Sequence, residues 1–251
     1  MTRRPNVILV TGASKGIGAA TARLAAEAGD AVVINYRSDD AAASAVVADC
    51  TEGGGRAIAH RADVADEDAV VAMFDAAEQR FGPVDVLVNN AGILQQQMRL
   101  EDMTTDRWRM VFETNVFGAF VCAREAVRRM STRFGGSGGS IVNVSSAASY
   151  IGSPEEYVDY AASKAALDTM TVGLGKEVAT DGIRVVGVRP GIIHTGIHAV
   201  GGEPGRVDRV APTIPMQRGG EPDEVARAIL WLASDEASYI TATMINISGG
   251  R

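Results

Sequence analysis

Short runs of mostly β-branched apolar residues alternate with longer alanine-rich segments along the chain. Seven runs have the length of strands: Val7–Thr11, Ala31–Asn35, Arg56–His60, Val84–Asn89, Ser140–Val144, Ile183–Val188 and Met244–Ile247. Most are apolar at consecutive positions, which is typical of strands buried on both faces. Between the runs, apolar residues recur every three or four positions in segments such as Ala19–Ala28, Asp66–Arg80, Ala161–Ala179 and Pro222–Ala233. The alternation predicts an α/β fold with a doubly wound parallel sheet, Rossmann-like.

The chain is long enough for one large domain. It has 251 residues, of which 46% are hydrophobic and 22% charged, close to an ordinary globular composition. The glycine- and serine-rich stretch at residues 135–139 separates a predicted helix from a predicted strand, so we interpret it as a loop and not as a domain linker. A single domain over residues 1–251 is therefore predicted.

Charge and cysteine content exclude several classes of function. The formal net charge is −7, and no basic block is longer than Arg3-Arg4, which disfavours nucleic-acid binding. No stretch approaches the ~20 apolar residues that span a bilayer. The two cysteines, Cys50 and Cys122, form no CxxC pair, so a disulfide framework is not expected. We expect a cytoplasmic protein that binds neither nucleic acid nor membrane.

The first predicted strand runs directly into a glycine-rich turn, Thr11-Gly12-Ala13-Ser14-Lys15-Gly16-Ile17-Gly18. Gly12 permits a tight turn, Gly16 lets the backbone approach a diphosphate, and Gly18 allows close packing of helix on strand. A diphosphate would lie at the positive N-terminus of the following helix. The spacing lacks the Gly-Lys-Ser/Thr ending of a P-loop, which argues against a nucleoside triphosphatase.

The residues after the second strand favour NADP(H) over NAD(H). An enzyme that uses NAD usually places a carboxylate here for the ribose 2′-hydroxyl, whereas a nearby arginine accommodates a 2′-phosphate. No acid occurs before Asp39, and Arg37 is available, with Lys15 as a second positive charge. The alternative is that both cations are solvated surface residues.

Tyr160 and Lys164 are four positions apart in a predicted helix, so the phenol and the ammonium lie on one helix face. A free tyrosine titrates near pH ~10, and a nearby ammonium favours the phenolate and lowers that pKa. By itself, such a spacing is more often an ordinary helix-face pair.

The chain resembles the single-domain, tetrad-bearing branch of the short-chain dehydrogenase/reductase family. Within that family it looks most like the glucose-type dehydrogenases and the 3-oxoacyl-carrier-protein reductases. Six segments carry the resemblance, in family order and over essentially the whole chain: the glycine turn, residues 89–92, the Asn115 segment, residues 141–146, residues 160–164 and residues 190–195.

The resemblance implies a role for each matching residue. Tyr160 would be the general acid or base, Lys164 would lower its pKa and hold the nicotinamide ribose, Ser146 would bind the substrate oxygen, and Asn115 would hold a water. The implied cofactor-binding residues are Gly12, Ser14, Lys15, Gly16, Ile17, Gly18, Arg37, Asp63, Val64, Asn90, Ala91, Gly92, Tyr160, Lys164, Pro190, Gly191, Ile193 and Thr195. Residues 1–150 would form the cofactor half, and residues 151–251 the catalytic and substrate-loop half. A homotetramer is also implied.

Two assignments have rivals. Ser145 and Ser146 are adjacent, and alternation along a strand sends their hydroxyls to opposite faces; we choose Ser146 because it follows the strand, as the family serine does. Tyr157 is a second tyrosine nearby, but the residue four positions later is Ala161.

Two further patterns have competing readings. His194 and His198 have metal-ligand spacing without an evident third ligand, so no metal is predicted. Arg124, Arg128 and Arg129 could dock an acidic carrier protein, but a solvated or subunit-facing surface is the simpler interpretation.

The sequence therefore predicts an oxidoreductase that transfers hydride between NADP(H) and a small carbonyl compound or secondary alcohol, such as a sugar or a ketoacyl group. Substrate specificity is expected around Gln95–Gln97 and between Pro190 and Arg218. The alternative is a nicotinamide-binding sensor without turnover.

Overall fold

A single parallel sheet of seven strands organises the molecule. The computed structural model describes residues 6–251, so Arg3 and Arg4 lie outside the described residues. The strand order is β3-β2-β1-β4-β5-β6-β7, and every neighbouring pair is parallel. The strands are β1 Val7–Val10, β2 Ala31–Tyr36, β3 Arg56–Arg61, β4 Val86–Asn89, β5 Gly139–Val144, β6 Ile183–Pro190 and β7 Thr243–Ile247. The predicted doubly wound α/β fold is confirmed.

Helices cover both faces of the sheet. Their bounds are α1 Gly16–Glu27, α2 Asp40–Glu52, α3 Glu67–Phe81, α4 Thr105–Phe112, α5 Gly118–Met130, α6 Ala148–Ile151, α7 Val158–Glu177, α8 Ile197–Val200, α9 Arg206–Val210 and α10 Pro222–Ala233. A π-helical turn, Glu113–Phe117, joins α4 to α5. None of the helices within residues 6–251 is long and apolar enough to cross a membrane.

Strand β1 illustrates why consecutive apolar residues are needed. Its side chains alternate between two separate cores, because successive residues of a strand point to opposite faces. Ile8 belongs to the core that contains Ile229 of α10, whereas Leu9 belongs to the core that contains Met73 and Phe74 of α3. All these side chains are at most 1% exposed. A strictly alternating strand would leave one of the two helical layers without a partner.

Local capping residues set where several helices begin. The Asp66 carboxylate accepts a hydrogen bond from the Ala69 backbone N–H, as expected for the start of α3. At α10, Pro222 occupies the first turn, and Glu221 and Glu224 form a reciprocal capping box. Helix α7 begins at Val158, three residues earlier than the periodicity predicts, so Tyr160 lies inside its first turn.

The strand order reverses at β1, which pairs with β2 on one side and with β4 on the other. The connections from these two neighbouring strands therefore leave in opposite directions and open a crevice at the carboxyl edge of the sheet. The glycine-rich turn follows β1 at this edge. The fold thus places the predicted site at the point where ligands bind in open α/β sheets.

Candidate active site

A cleft of about 480 Å³ runs along the carboxyl edge of the sheet. Most of the residues singled out in the sequence line it: Gly12, Ser14, Lys15, Ile17, Arg37, Asp63, Val64, Asn90, Ala91, Gly92, Ser146, Tyr160, Lys164, Pro190, Gly191, Ile193 and Thr195. Gly16, Gly18 and Asn115 are not among the residues that line it. Residues that are far apart in the sequence are thus brought to one continuous surface.

The glycine turn is fastened to the segment that follows β4. The Asn90 side-chain amide donates to the carbonyls of Thr11 and Gly12 at 2.8 and 3.1 Å, and the Thr11 hydroxyl accepts from the Asn90 and Ala91 N–H groups. Gly12 has a φ of +62°, and a Cβ there would lie 2.9 Å from Ala91 Cα. At Gly18, a Cβ would lie 2.5 Å from Asn90 Nδ2. The turn therefore requires glycine at both positions.

These features fit a dinucleotide diphosphate. Helix α1 begins at Gly16 and directs its N-terminal N–H groups toward the cleft. No acidic residue occurs within its first turn, so the helix dipole there is not neutralised by a carboxylate of its own. The cleft is lined both by this turn and, at its other end, by Tyr160.

Two cations, Lys15 and Arg37, line the cleft near the end of β2, and they differ in their partners. Lys15 Nζ lies 2.5 Å from the Asp39 carboxylate, which also accepts from the Ala42 N–H at the start of α2. The hydrogen bond from Lys15 is the main reason why the pKa of the Asp39 carboxyl is lowered. Arg37 lines the cleft and is exposed, and within residues 6–251 its guanidinium forms no ion pair. Lys15, expected as a second positive charge for a 2′-phosphate, is thus paired with Asp39, and its cofactor role stays a prediction.

Tyr160, Ser146 and Lys164 meet at the other end of the cleft. Tyr160, Ser146 and Lys164 all line the cleft, and Lys164 Nζ lies 5.7 Å from the centre of the Tyr160 ring. The Ser145 hydroxyl instead donates to the Lys164 carbonyl at 3.1 Å. Of the two adjacent serines, Ser146 is the one that acts on the Tyr160 phenol and lowers its pKa.

The pKa of Tyr160 differs from the expectation. Desolvation by the surrounding protein raises it to about 12, although the hydrogen bond from Ser146 acts in the opposite direction. Burial also lowers the pKa of Lys164 to about 8. Its ammonium donates to the Val144 carbonyl at 2.8 Å and faces the Tyr160 ring. Desolvation therefore raises the Tyr160 pKa where a lowering was expected, and Lys164 is not among the causes that shift it.

Burial of Lys164 gives the folding stability a specific pH dependence. Between about pH 8 and 10.5 the unfolded chain holds a proton on this lysine that the folded protein does not. Unfolding then takes up a proton, and a rise in pH disfavours that uptake. The contribution of this lysine to the free energy of unfolding therefore increases with pH, by up to about 1.4 kcal/mol per pH unit. In the Lys164→Met protein this contribution is absent, and its stability relative to wild type should fall steadily over that range.

Denaturant unfolding of both proteins at several pH values measures this difference. Lys176→Met changes an exposed lysine on the same helix and should track the wild type across the range. A constant stability difference between wild type and Lys164→Met would contradict the lowered pKa.

Asn115 lies in the π-helical turn and is 1% exposed. Its side-chain oxygen accepts from the Ile93 N–H at 2.8 Å, and its amide donates to the Ile93 carbonyl and to the Ser163 hydroxyl. The Ser163 hydroxyl in turn donates to the Tyr160 carbonyl. Asn115 therefore fastens the backbone beside Gly92 to the first turn of α7.

Several residues of the cleft carry no motif and were not singled out as site residues. Gln97 joins the two segments expected to govern specificity, because its backbone N–H donates to Gly201 O at 3.1 Å and its side chain to Glu203 at 2.7 Å. The cleft is also lined by Leu94, Ile151, Tyr157, His198, Arg206 and Arg251. Tyr157 is buried with its ring under the Arg206 guanidinium. His198 and Arg206 belong to the segment expected to govern specificity, whereas only the tertiary packing identifies Leu94, Ile151 and Arg251.

The other two sequence patterns have structural explanations. The His198 ring nitrogen lies 2.9 Å from the Ile193 carbonyl, and no cluster of three potential metal ligands occurs within the described residues. The arginines of α5 are engaged by carboxylates: Arg124 by Glu67, and Arg128 and Arg129 by the buried Glu125. The helix therefore does not present an unpaired basic face.

Comparison with known proteins agrees with the geometry. Residues 12–251 match the family model described as enoyl-(acyl carrier protein) reductase. The chain is 57% identical over 245 residues to the uncharacterized oxidoreductase YgfF of Escherichia coli, covering 98% of this chain and 99% of that protein. It is 39% identical to a 3-oxoacyl-[acyl-carrier-protein] reductase of Synechocystis, covering 97% and 96%.

A solved structure has the same fold over nearly the whole chain. A short-chain type dehydrogenase/reductase from Mycobacterium marinum superposes with a TM-score of 0.91 at 35% identity, covering 98% of this chain and 94% of that chain. The chain belongs to the short-chain dehydrogenase/reductase family, oxidoreductases that act on carbonyl or alcohol groups with a nicotinamide dinucleotide.

Proposed function

We propose that the protein transfers hydride between NADP(H) and a small carbonyl compound or secondary alcohol. The observation that carries the proposal is that Tyr160, Ser146 and Lys164 line one end of a cleft whose other end is the glycine turn, with Lys164 Nζ 5.7 Å from the centre of the Tyr160 ring. A protein that only binds a dinucleotide has no need of two hydroxyl groups facing the reactive end. A sugar, a ketoacyl group such as that of the Synechocystis relative, or another small ketone is the proposed substrate.

Each of the four residues has a distinct proposed role. When bound, the reduced nicotinamide supplies a hydride to the carbonyl carbon, and negative charge develops on the carbonyl oxygen. Tyr160 and Ser146 donate hydrogen bonds to that oxygen, and Tyr160 gives it a proton. Lys164 holds the nicotinamide ribose and stabilises the tyrosinate. Asn115, whose side chain holds the Ile93 backbone, would also hold a water that continues the proton path from Lys164 towards solvent.

A high Tyr160 pKa suits the reductive direction. A phenol with a pKa of about 12 keeps its proton at neutral pH until the substrate oxygen becomes basic enough to take it. In oxidation, the same residue has to accept a proton, and a positive charge on Lys164 beside it would favour that state. The two residues therefore act as a coupled pair.

The remaining cleft residues are proposed to bind the cofactor. The diphosphate would lie against Gly12, Ser14, Gly16, Ile17 and Gly18, and the adenine against Asp63 and Val64. Asn90, Ala91 and Gly92 would line the groove in the middle. Pro190, Gly191, Ile193 and Thr195 would hold the nicotinamide. Residues 1–150 then supply most of the cofactor contacts, and residues 151–251 supply Tyr160, Lys164 and the substrate segment.

Selectivity for NADP(H) is proposed to rest on Arg37. An arginine without a carboxylate partner at this point can bind a ribose 2′-phosphate through paired hydrogen bonds. Lys15 contributes only if the phosphate draws it away from Asp39, since the two form an ion pair. We further propose a cytoplasmic homotetramer. Exposed apolar residues at the α4–α5 junction, Met110, Phe117 and Phe120, are 47%, 62% and 49% exposed and support association of subunits.

Arg37→Gln should reduce kcat/KM for NADPH by about 10- to 100-fold and leave that for NADH nearly unchanged. The reason is that a charge-assisted hydrogen bond contributes about 1.5–3 kcal/mol. Consumption of NADPH and NADH is followed with a panel of ketones, aldoses and ketoacyl esters.

The matched control is Arg23→Gln, which changes an exposed arginine of α1 that is paired with Asp49 of α2. It should leave kcat/KM for both cofactors unchanged. Preference of the wild type for NADH would overturn the proposed role of Arg37. Tight cofactor binding without turnover of any carbonyl or alcohol would favour a sensor.

A further inference from the structure

Three cations line the cleft away from the end of β2: Lys164, Arg206 and Arg251. Within residues 6–251, the acidic residues that line the cleft are Asp39 and Asp63, which follow β2 and β3. A positive charge in a cleft attracts an anion where no carboxylate balances it, so the partners of each cation decide which of the three could bind one.

Two of these three cations already have partners. Arg206 is 5% exposed and is held by Glu156 and Glu203, with Nη1 at 2.8 Å from Glu156 Oε1 and 3.1 Å from Glu203 Oε2. Lys164 donates to the Val144 carbonyl. Neither side chain is free to bind a charged group of a ligand without losing an interaction that it already has.

Arg251 differs from both. Its backbone is fixed at the cleft, since its carbonyl accepts from the Tyr150 hydroxyl at 2.7 Å and from the Ser248 hydroxyl at 2.9 Å. Its side chain forms no ion pair with the described residues. The Nη1 atom is buried, yet within residues 6–251 no group accepts its hydrogen bonds.

A buried guanidinium N–H without an acceptor destabilises the protein. The paired N–H groups of arginine match the two oxygens of a carboxylate. A carboxylate that enters the cleft would therefore satisfy the unpaired donor and neutralise the local charge. Tyr150 and α6 follow directly after Ser146, so the anchored Arg251 lies beside the segment that carries one of the proposed catalytic hydroxyls.

We propose that Arg251 binds a carboxylate of the substrate, so that the protein acts on oxo acids and the corresponding hydroxy acids. This inference rests on the proposed function. In the reductive direction, the carbonyl carbon gains a hydride from the reduced nicotinamide and its oxygen gains a proton from Tyr160. The carboxylate is unchanged and serves only to orient the carbonyl. A diphosphate oxygen of the cofactor offers the same chemistry and is the alternative source of the anion.

The test compares acids with their methyl esters, which have the same carbonyl but no charge. The probes are pyruvate, levulinate and succinic semialdehyde, each beside its methyl ester, with NADPH as reductant. For at least one pair, the wild type should show a kcat/KM about 10-fold or more higher on the acid. In Arg251→Met the ratio should fall to about one, with the rate on the ester within about twofold of wild type. Arg251→Lys should keep part of the preference.

Arg218→Met is the matched control. Arg218 lies in the neighbouring groove that Arg251 also lines, but it is exposed and paired with Glu224, so its loss should leave the acid-to-ester ratio unchanged. Equal rates on acids and esters in the wild type, or a preference that survives in Arg251→Met, would overturn the inference. Reduction of the esters in that case would still support the proposed function.

A binding measurement separates the two proposals completely. The thermal unfolding midpoint of the protein with NADP⁺ should rise with levulinate but not with methyl levulinate, and Arg251→Met should remove the effect. This result without any turnover would support the carboxylate site and contradict the proposed function. No shift with levulinate, or a loss of NADPH affinity in Arg251→Met with an unchanged acid-to-ester ratio, would overturn the carboxylate site.

Discussion

Tyr160→Phe is expected to lower the rate of carbonyl reduction by about 10²- to 10⁴-fold, the usual contribution of a positioned general acid. The substitution removes one oxygen atom. The phenol lines the cleft together with Ser146 and belongs to the first turn of α7, whose backbone is held by Ser163 and Asn115. The ring therefore has the same surroundings in the variant, and the loss should fall on turnover alone.

The affinity for NADPH shows whether the substitution affects turnover alone. It should stay within about threefold of wild type, because Lys164 and the glycine turn are untouched. Kinetics of the purified variant and titration of its fluorescence with NADPH give the two quantities. Tyr239→Phe, which removes the hydroxyl of a fully exposed tyrosine, should behave as wild type in both.

Tyr157 provides a sharper comparison, because it lies in the same cleft only three residues earlier. Its hydroxyl is 3.4 Å from the Gly201 carbonyl and its ring packs under Arg206. Tyr157→Phe should change KM through the Gly201 segment and retain most of kcat. If instead Tyr157→Phe abolished turnover and Tyr160→Phe did not, the proton donor would be Tyr157, and the assignment of roles along α7 would be wrong.

The fold could be predicted from the sequence because its strands are apolar on both faces. Ile8 and Leu9 belong to different cores, and only a sheet covered by helices on both sides buries both. The boundaries were less certain. Strand β4 starts at Val86 and not at Val84, since Val84 is buried without belonging to the strand and the Asp85 carboxylate accepts from the N–H of Val7, the first residue of β1.

The charges of the cleft depend on partners that the sequence does not reveal. Lys15 and Asp39 are separated by β2 and meet because the turn after β1 lies beside the start of α2. Arg251 reaches the cleft because β7 pairs with β6 and ends beside it. The Tyr160 pKa depends on how the surrounding protein buries the phenol, and the four-residue spacing of Tyr160 and Lys164 does not predict that burial. Residue types and their order predict the location of the site, whereas packing determines its electrostatics.

Arg107→Met is expected to cost about 3–5 kcal/mol of unfolding free energy, the loss typical of a buried ion pair that is left with one charge. The Arg107 guanidinium binds both oxygens of Asp159 at 2.6 and 3.0 Å, and it also donates to the Gln96 carbonyl at 2.6 Å. The two side chains are 8% and 2% exposed. Asp159 directly precedes Tyr160, so this pair holds the start of α7 against α4 and against the segment of Gln96.

The buried Asp159 charge is the reason for the size of this effect. Adding Asp159→Asn to Arg107→Met removes the uncompensated charge and should recover part of the lost stability, although the single Asp159→Asn change also weakens the pair. Arg109→Met breaks an exposed pair with Asp106 and should cost under about 1 kcal/mol. Urea unfolding of the four variants gives these values.

The same variants show whether stability and catalysis are linked at the start of α7. Since Arg107 contacts neither Tyr160 nor the glycine turn in these interactions, the folded fraction of Arg107→Met should bind NADPH normally. Its kcat should nevertheless fall, because the first turn of α7 loses the contact that fixes Tyr160 relative to Ser146. A loss of stability below about 1 kcal/mol would mean that water compensates Asp159, and the rigid placement of Tyr160 would then have to come from Ser163 and Asn115 alone.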